Sequence, residues 1–240
     1  MSKIIQINEN PKPENRFKGS RRSFIRFGGA SIATTGILLT GCKEFFDHIP
    51  EKPEPGPKAV NLGKGDTGVL NYALTLEQLE AAFYTLVMAM PYSGMNSEEE
   101  TILEDLRKHE VVHRDFLKAA LGKDAIPTLT FDFSSVDFSS RDSVLATAKI
   151  FEDLGVAAYN GAGKLLKSAD LLLIAGKIVS VEGRHAAAIR SIFDDDPKSF
   201  AGDDIIDENG LDRAFEPKMV LEAASPFIVT KIIANQIGKK

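Results

Sequence analysis

A pattern of glutamate, tyrosine and histidine occurs twice, in the same order, along this chain of 240 residues. Each copy has a glutamate seven residues before a tyrosine, and then a Glu-x-x-His sequence further along. A four-helix bundle that holds two metal ions needs one glutamate from each of two helices and a Glu-x-x-His from each of the other two. The pattern therefore predicts a site for two metal ions, with six ligands: Glu77, Glu110, His113, Glu152, Glu182 and His185.

The spacing within each copy places these side chains together if the segments are helical. Residues three apart lie on one face of a helix, so Glu110 and His113 can point at the same spot. Residues seven apart are nearly in register two turns on, which gives Glu77 and Tyr84 a shared stripe. The glutamates stand among apolar residues, and an unpaired buried carboxylate is costly unless it is neutralised or finds a cation. Bound metal is one explanation for all of them.

Four helices are needed to position the repeated pattern. Apolar residues recur at intervals of three and four from about residue 66, and Pro91 ends that run. Ser97 and Glu100 form a candidate capping box for the second helix, which is expected to end near Gly122. The third helix is expected over residues 141–168 and the fourth from there to about residue 193.

The remaining segments predict the connections of an all-α four-helix bundle. Residues 123–139 contain a β-prone stretch and several serines, which favours a long crossover between helices 2 and 3. Residues 66–195 are therefore predicted to form the bundle. Residues 196–240 are predicted to form a C-terminal loop and short helices that begin near Pro217.

The N-terminal segment looks like an export signal. Residues 20–26 resemble a twin-arginine motif, and the apolar run after them ends in Leu-Thr-Gly-Cys, which resembles a lipobox. Residues 1–41 are thus expected to be a signal peptide, and Cys42, the only cysteine, a lipidated anchor. Residues 42–65 would be a proline-rich tether. We expect an exported, membrane-anchored lipoprotein on the periplasmic or cell-surface side.

The charge of the chain argues against one class of partner. Residues 1–41 carry seven Lys or Arg and two Glu, so their removal changes the formal charge from -5 to -10. Nucleic acids select basic surfaces, and no nucleic-acid partner is expected.

Residues 66–193 resemble the ferritin-like superfamily, in particular the bacterial ferritin-like domain proteins related to plant desiccation-associated proteins. The stretch from Leu70 to Tyr84 looks much like the first helix of that group. The resemblance implies the same six ligands, two metal ions with iron preferred over manganese or zinc, and O2 or peroxide as reaction partners. It also implies Tyr84 and Tyr159 as hydrogen-bond donors to the ligands, with Glu80 as an alternative to Glu77.

Several functions are compatible with this pattern. The first is ferroxidase, peroxide-scavenging or iron-handling activity, and the second is a non-catalytic binding or stress-protection role. A third arises because residues 109–113 read HExxH, in which His109 and His113 would bind zinc in a hydrolase. That alternative leaves the second Glu-x-x-His unexplained, and in the ferritin-like interpretation His109 is a flanking residue near the surface. The anchor favours a monomer or homodimer over a closed cage.

Overall fold

Four long helices build the described part of the chain, which in this computed structural model is residues 57–239. Their bounds are α1 (Gly65–Ala89), α2 (Ser97–Leu121), α3 (Arg141–Gly163) and α4 (Ala169–Phe193). The α1 helix packs chiefly against α2, and α3 against α4. The prediction of an all-α four-helix bundle is confirmed. The predicted signal peptide, Cys42 and most of the tether lie outside the described residues.

The helix directions follow from the short connections and from two hydrogen bonds. Residues 90–96 and 164–168 are short, so each pair of helices that they join forms an antiparallel hairpin. The Tyr84 hydroxyl donates to Glu152, and the Tyr159 hydroxyl donates to Glu77. Glu77 comes before Tyr84 in α1, but its partner Tyr159 comes after Glu152, the partner of Tyr84, in α3. These two helices are therefore also antiparallel. It follows that α2 and α3 run in the same direction.

The long crossover is the consequence of this arrangement. The α2 helix has 25 residues and is therefore about 37 Å long, and the chain must return over that distance before α3 begins. Residues 122–140 do so, starting with a 3-10 turn at Gly122–Asp124. The predicted β-prone stretch forms no strand, although Phe131 makes an isolated bridge to Ile228.

Buried amides on α1 hold the crossover in place. The Asn71 side chain donates to the carbonyls of Leu62 and Asp124, at 3.1 and 2.9 Å, and accepts from the Ile126 amide at 3.0 Å. Gln78 accepts from the Leu129 amide at 2.9 Å. Because α1 also carries Glu77, the same helix fixes both the crossover and one side of the candidate site.

Two predicted helix ends were wrong. The cap of α2 is Asn96, whose side chain accepts from the amides of Glu98 and Glu99, while the Glu99 carboxylate accepts from the Asn96 amide. Ser97 is already helical, so the box lies one residue before the predicted one. The α3 helix ends at Gly163, not near Ser168, because the Ser168 side chain caps α4 by accepting from Leu171.

The C-terminal segment packs on the bundle. It contains the short helix α5 (Pro217–Ala224), as predicted, and a 3-10 turn at Ser225–Phe227. Strands β1 (Ala59–Asn61) and β2 (Lys231–Ile233), which the sequence analysis missed, pair in parallel. A Cβ atom at Gly161 would lie 1.8 Å from the Phe215 carbonyl, so this glycine allows the segment to approach α3. Within residues 57–239 no helix is both long and apolar enough to cross a membrane.

We expect Asn71→Ala to destabilise the fold by about 2–4 kcal/mol, because it leaves buried backbone groups without partners. The matched control is Asn160→Ala, since Asn160 is exposed and makes a single bond to the Arg213 carbonyl. The control should lower the free energy of unfolding by at most about 1 kcal/mol. Urea unfolding followed by circular dichroism measures both, and equal losses would contradict the anchoring role of Asn71.

Candidate metal centre

The four glutamates of the repeated pattern meet in the middle of the bundle, and each is 0% exposed. With the two histidines they form two groups in which one ligand atom per residue lies within 4.8 Å of the others. One group is Glu77, Glu110, His113 and Glu182, and the other is Glu110, Glu152, Glu182 and His185. Glu110 and Glu182 belong to both groups, so the two groups share a pair of carboxylates.

Each helix contributes to the centre according to its part of the pattern. The α1 and α3 helices supply one glutamate each, and α2 and α4 supply a Glu-x-x-His each. The Nδ1 atom of His113 lies 3.0 Å from Glu182 and 3.4 Å from Glu77. The Nδ1 atom of His185 lies 2.8 Å from Glu110 and 3.5 Å from Glu152. Each histidine therefore directs Nδ1 at carboxylates from the other helices.

The two tyrosines hold the unshared glutamates. The Tyr84 hydroxyl donates to Oε1 of Glu152 at 2.6 Å, and the Tyr159 hydroxyl donates to Oε1 of Glu77. Each of these carboxylates thereby keeps Oε2 directed to the centre. The tyrosine of one copy thus orients the glutamate of the other copy, across the bundle.

The carboxylate and imidazole atoms at the centre lack hydrogen-bond partners. Among residues 57–239, nine buried side-chain nitrogen or oxygen atoms have none, and eight of the nine belong to the six residues of the two groups. Their contacts are short but are not aligned as hydrogen bonds. Because buried polar groups are normally satisfied, this concentration of unsatisfied atoms fits residues that face cations. Four carboxylates also match the charge of two divalent ions.

The pKa values of the carboxyl groups at the centre are shifted in different directions. Burial, reinforced by neighbouring carboxylates, raises the pKa of Glu77 and Glu80 well above the ordinary value. Burial also raises the pKa of Glu152, to about 7. It acts in the same sense on Glu110, but the two facing imidazoles outweigh it and lower the pKa of Glu110 to about 2. When no metal is bound, Glu77, Glu80 and Glu152 therefore hold a proton more readily than Glu110 does.

The imidazoles are the positive partners of these carboxylates when no metal is bound. Burial by itself would lower the pKa of His113, but three facing carboxylates raise it to about 12. The pKa of His185 is raised above its ordinary range in the same way. A cation that binds here must displace those protons, since a histidine ligates as neutral imidazole.

Glu80, the predicted alternative to Glu77, lies beside the centre but belongs to neither group. It is 4% exposed. A Cβ atom at Gly155 would lie 3.0 Å from Oε1 of Glu80 and 3.5 Å from Oε2 of Glu182. The absence of a side chain at Gly155 thus makes room for Glu80 as a fifth buried carboxylate. Of the two glutamates on α1, only Glu77 belongs to one of the two groups.

His109 has a contact that the sequence analysis did not predict. It is exposed, as expected for a flanking residue, but its Nδ1 lies 2.9 Å from Nε2 of His185. It belongs to neither of the two groups, so it does not join His113 around one ion. In the sequence, His109 stands directly before Glu110, so its side chain is turned about 100° from that of Glu110 around the helix. This position is the only feature of the sequence that places His109 near the centre.

The fold and this geometry agree with a comparison against protein families. A family model described as a ferritin-like domain matches residues 65–195, more than half of the chain. The chain belongs to the ferritin-like domain family. No curated protein matches this ferritin-like protein. The predicted superfamily is therefore confirmed, whereas the closer likeness to desiccation-associated proteins and the ligand role of each residue stay predictions.

We expect the metal-free ferritin-like protein to lose stability as the pH rises. The folded state holds a proton on Glu152 between its ordinary pKa of 4.5 and about 7, and on His113 between 6.5 and about 12. In both windows the unfolded state binds fewer protons, so the free energy of unfolding falls with increasing pH. The Glu152 share is about 3 kcal/mol.

Urea unfolding of chelator-treated protein from pH 4.5 to 9 measures this dependence. The matched variant is Glu152→Gln, which keeps the size of the side chain and should make the decline between pH 4.5 and 7 shallower. Glu77 and Glu80, whose pKa values are also raised by burial, should maintain the rest of the decline. Stability that rises with pH over that range would contradict the prediction.

Proposed function

We propose that this ferritin-like domain binds two metal ions, preferably iron, and reacts them with O2 or peroxide. The observation that carries the proposal is the set of eight unsatisfied buried atoms on six residues. Glu77 and His113 would complete one metal position, and Glu152 and His185 the other. A pair of ferrous ions, when bound, would supply two electrons, the number needed to reduce one hydrogen peroxide to two waters with the uptake of two protons.

The shared carboxylates support a pair of ions over a single one. Glu110 places Oε2 near His113 and Oε1 near His185. Glu182 likewise directs Oε1 at His113 and Oε2 at His185. One oxygen for each position is the arrangement of a bridging carboxylate, so Glu110 and Glu182 would hold both ions, whereas Glu77 and Glu152 would each hold one.

An apolar cavity of about 20 Å³ lies between the four helices, next to Leu76 and Tyr159, and none of the six residues of the two groups lines it. Tyr159, which donates to Glu77, is the side chain that the cavity and the centre have in common. The volume accommodates about one molecule of the size of water. A small oxidant such as O2 or hydrogen peroxide would fit in it.

The chain's own residues would perform two tasks. Tyr84 and Tyr159 orient the terminal glutamates, and the apolar faces of the helices exclude water. The His113 side chain is 13% exposed, whereas the four glutamate side chains have no exposure. Ions and solvent would therefore reach the centre from the His113 side.

The alternatives have less support. A zinc hydrolase needs His109 and His113 on one ion, yet His109 contacts His185 and lies outside both groups. A non-catalytic binding or stress-protection role would use the same ligands without turnover. Oxygen or peroxide consumption separates that role from the proposed one.

We expect the purified full chain to hold about two metal ions per molecule, and the variant Glu110→Gln/Glu182→Gln to lose both. Glutamine preserves the side-chain size but removes the bridging charge. The metal content per molecule is measured by atomic emission spectroscopy. The control is Glu208→Gln/Glu222→Gln, which removes the same charge from exposed positions. A native chain with no metal above background would refute the site. Zinc retained by the double variant, which lacks the Glu182 carboxylate, would instead favour the hydrolase.

In the same preparations, added Fe(II) should be oxidised faster than in buffer, with consumption of O2 or peroxide. The bridging variant should lose this acceleration and the control should keep it. Metal binding without accelerated oxidation would favour the non-catalytic role.

We also propose that the chain is exported and anchored to a membrane through lipidated Cys42, as a monomer or homodimer. The twin-arginine and lipobox-like residues support this. We expect Cys42→Ser to move the protein from the membrane fraction to the soluble fraction, measured by fractionation and immunoblotting. A protein that remains in the membrane fraction would show that Cys42 is not the anchor.

A further inference from the structure

His185 has a close neighbour on each side of its ring, a carboxylate at Nδ1 and a second imidazole at Nε2. Its Nδ1 faces the centre, 2.8 Å from Oε1 of Glu110, and its Nε2 lies 2.9 Å from Nδ1 of His109. The ring itself is almost fully buried, whereas His109 is exposed. His109 is therefore the side chain that connects this part of the centre to the surface.

The two imidazole rings have the geometry of an N–H···N hydrogen bond. Their planes differ by 10° and their centroids are 5.1 Å apart. This separation is close to the nitrogen–nitrogen distance plus the two ring radii, so the rings lie edge to edge and not face to face. The hydrogen bond then points nearly along the line between the ring centres, which is its favourable direction.

This contact determines which nitrogen of His185 can bind a cation. A ligand Nδ1 carries no proton, so the proton must be on Nε2, and a buried Nε2–H needs an acceptor. Nδ1 of His109 is that acceptor. With Nδ1 accepting, His109 carries its own proton on the exposed Nε2, where water can satisfy it.

The other metal position has no equivalent of His109. Among residues 57–239, no side chain or backbone group forms a hydrogen bond with the second ring nitrogen of His113. In the repeated pattern, the residue before Glu110 is His109, and the residue before Glu182 is Val181. The valine side chain cannot accept a hydrogen bond, so the two copies differ at the position that supports the opposite histidine.

We propose that His109 is a positioning residue that holds His185 in its metal-binding tautomer and makes the metal position at His185 the tighter of the two. The inference rests on the proposed di-metal function. Loss of the outer partner of a metal-binding histidine typically weakens metal affinity by about 10–100-fold.

The test is a Co(II) titration of the full chain after removal of metal with a chelator. Calorimetry resolves the two binding steps, and NMR of the Co(II) protein detects the shifted ring N–H signal of His185, assigned by its loss in His185→Gln. In His109→Val, which copies the residue of the other repeat, one step should weaken by about 10–100-fold while the other changes less than about twofold. The ring N–H signal should also disappear through faster exchange with water.

Two further variants separate positioning from a general effect. His109→Asn should restore the tight step and the N–H signal, because its side-chain oxygen can accept in place of Nδ1. Lys108→Val changes an exposed neighbour on α2 and should leave both steps unaltered. Thermal unfolding of the metal-free proteins checks that each variant is folded.

The outcomes distinguish this inference from the proposed function. If the wild type binds two Co(II) and His109→Val leaves both steps unchanged, or weakens both equally, the role of His109 is refuted and the di-metal site stands. Failure of His109→Asn to restore the tight step would also refute it. If the wild-type chain binds no Co(II), the proposed function fails and the role of His109 fails with it.

Discussion

Electrostatic repulsion between buried carboxylates is the constraint on which the rest of this structure depends. Four glutamates without exposed surface share the bundle centre. Two like charges about 4 Å apart repel by about 4 kcal/mol at an effective dielectric constant of 20. The helices can approach one another only if protons, imidazolium groups or metal ions offset this charge. Burial raises the pKa of Glu152, whereas the two imidazoles that face Glu110 lower the pKa of that group, so the imidazoles offset the buried charge unequally.

The bundle distributes this charge with an approximate two-fold symmetry. A tyrosine on α1 supports a glutamate on α3 and the reverse, while histidines on α2 and α4 face the opposite Glu-x-x-His. The symmetry is complete for the six residues of the two groups and for the tyrosines. It is broken at His109, which approaches His185 from outside the centre. The two halves of the site are therefore chemically similar without being equal.

The sequence determined the helices and the centre because both depend on local spacing. Glu110 and His113 share a face for any regular helix, and the doubling of the pattern identified four helices and a crossover. The misses depend on smaller or more distant effects. Asn96, and not Ser97, is the cap of α2 because the helical backbone conformation already begins at Ser97. Strands β1 and β2 have three residues each and form only because distant parts of the chain meet. The partner of His109 is 76 residues away, beyond the reach of periodicity.

The division of the bundle into two hairpins has a mechanical consequence. The helices within each hairpin pack closely, whereas contacts between the hairpins are fewer. The α1–α2 hairpin supplies Glu77, Glu110 and His113, and the α3–α4 hairpin supplies Glu152, Glu182 and His185, so each group draws ligand atoms from both. An ion bound to either group would therefore link the two hairpins through its ligands. Binding or loss of such an ion would change how firmly the hairpins are held together, so the rigidity of the bundle would depend on its metal content.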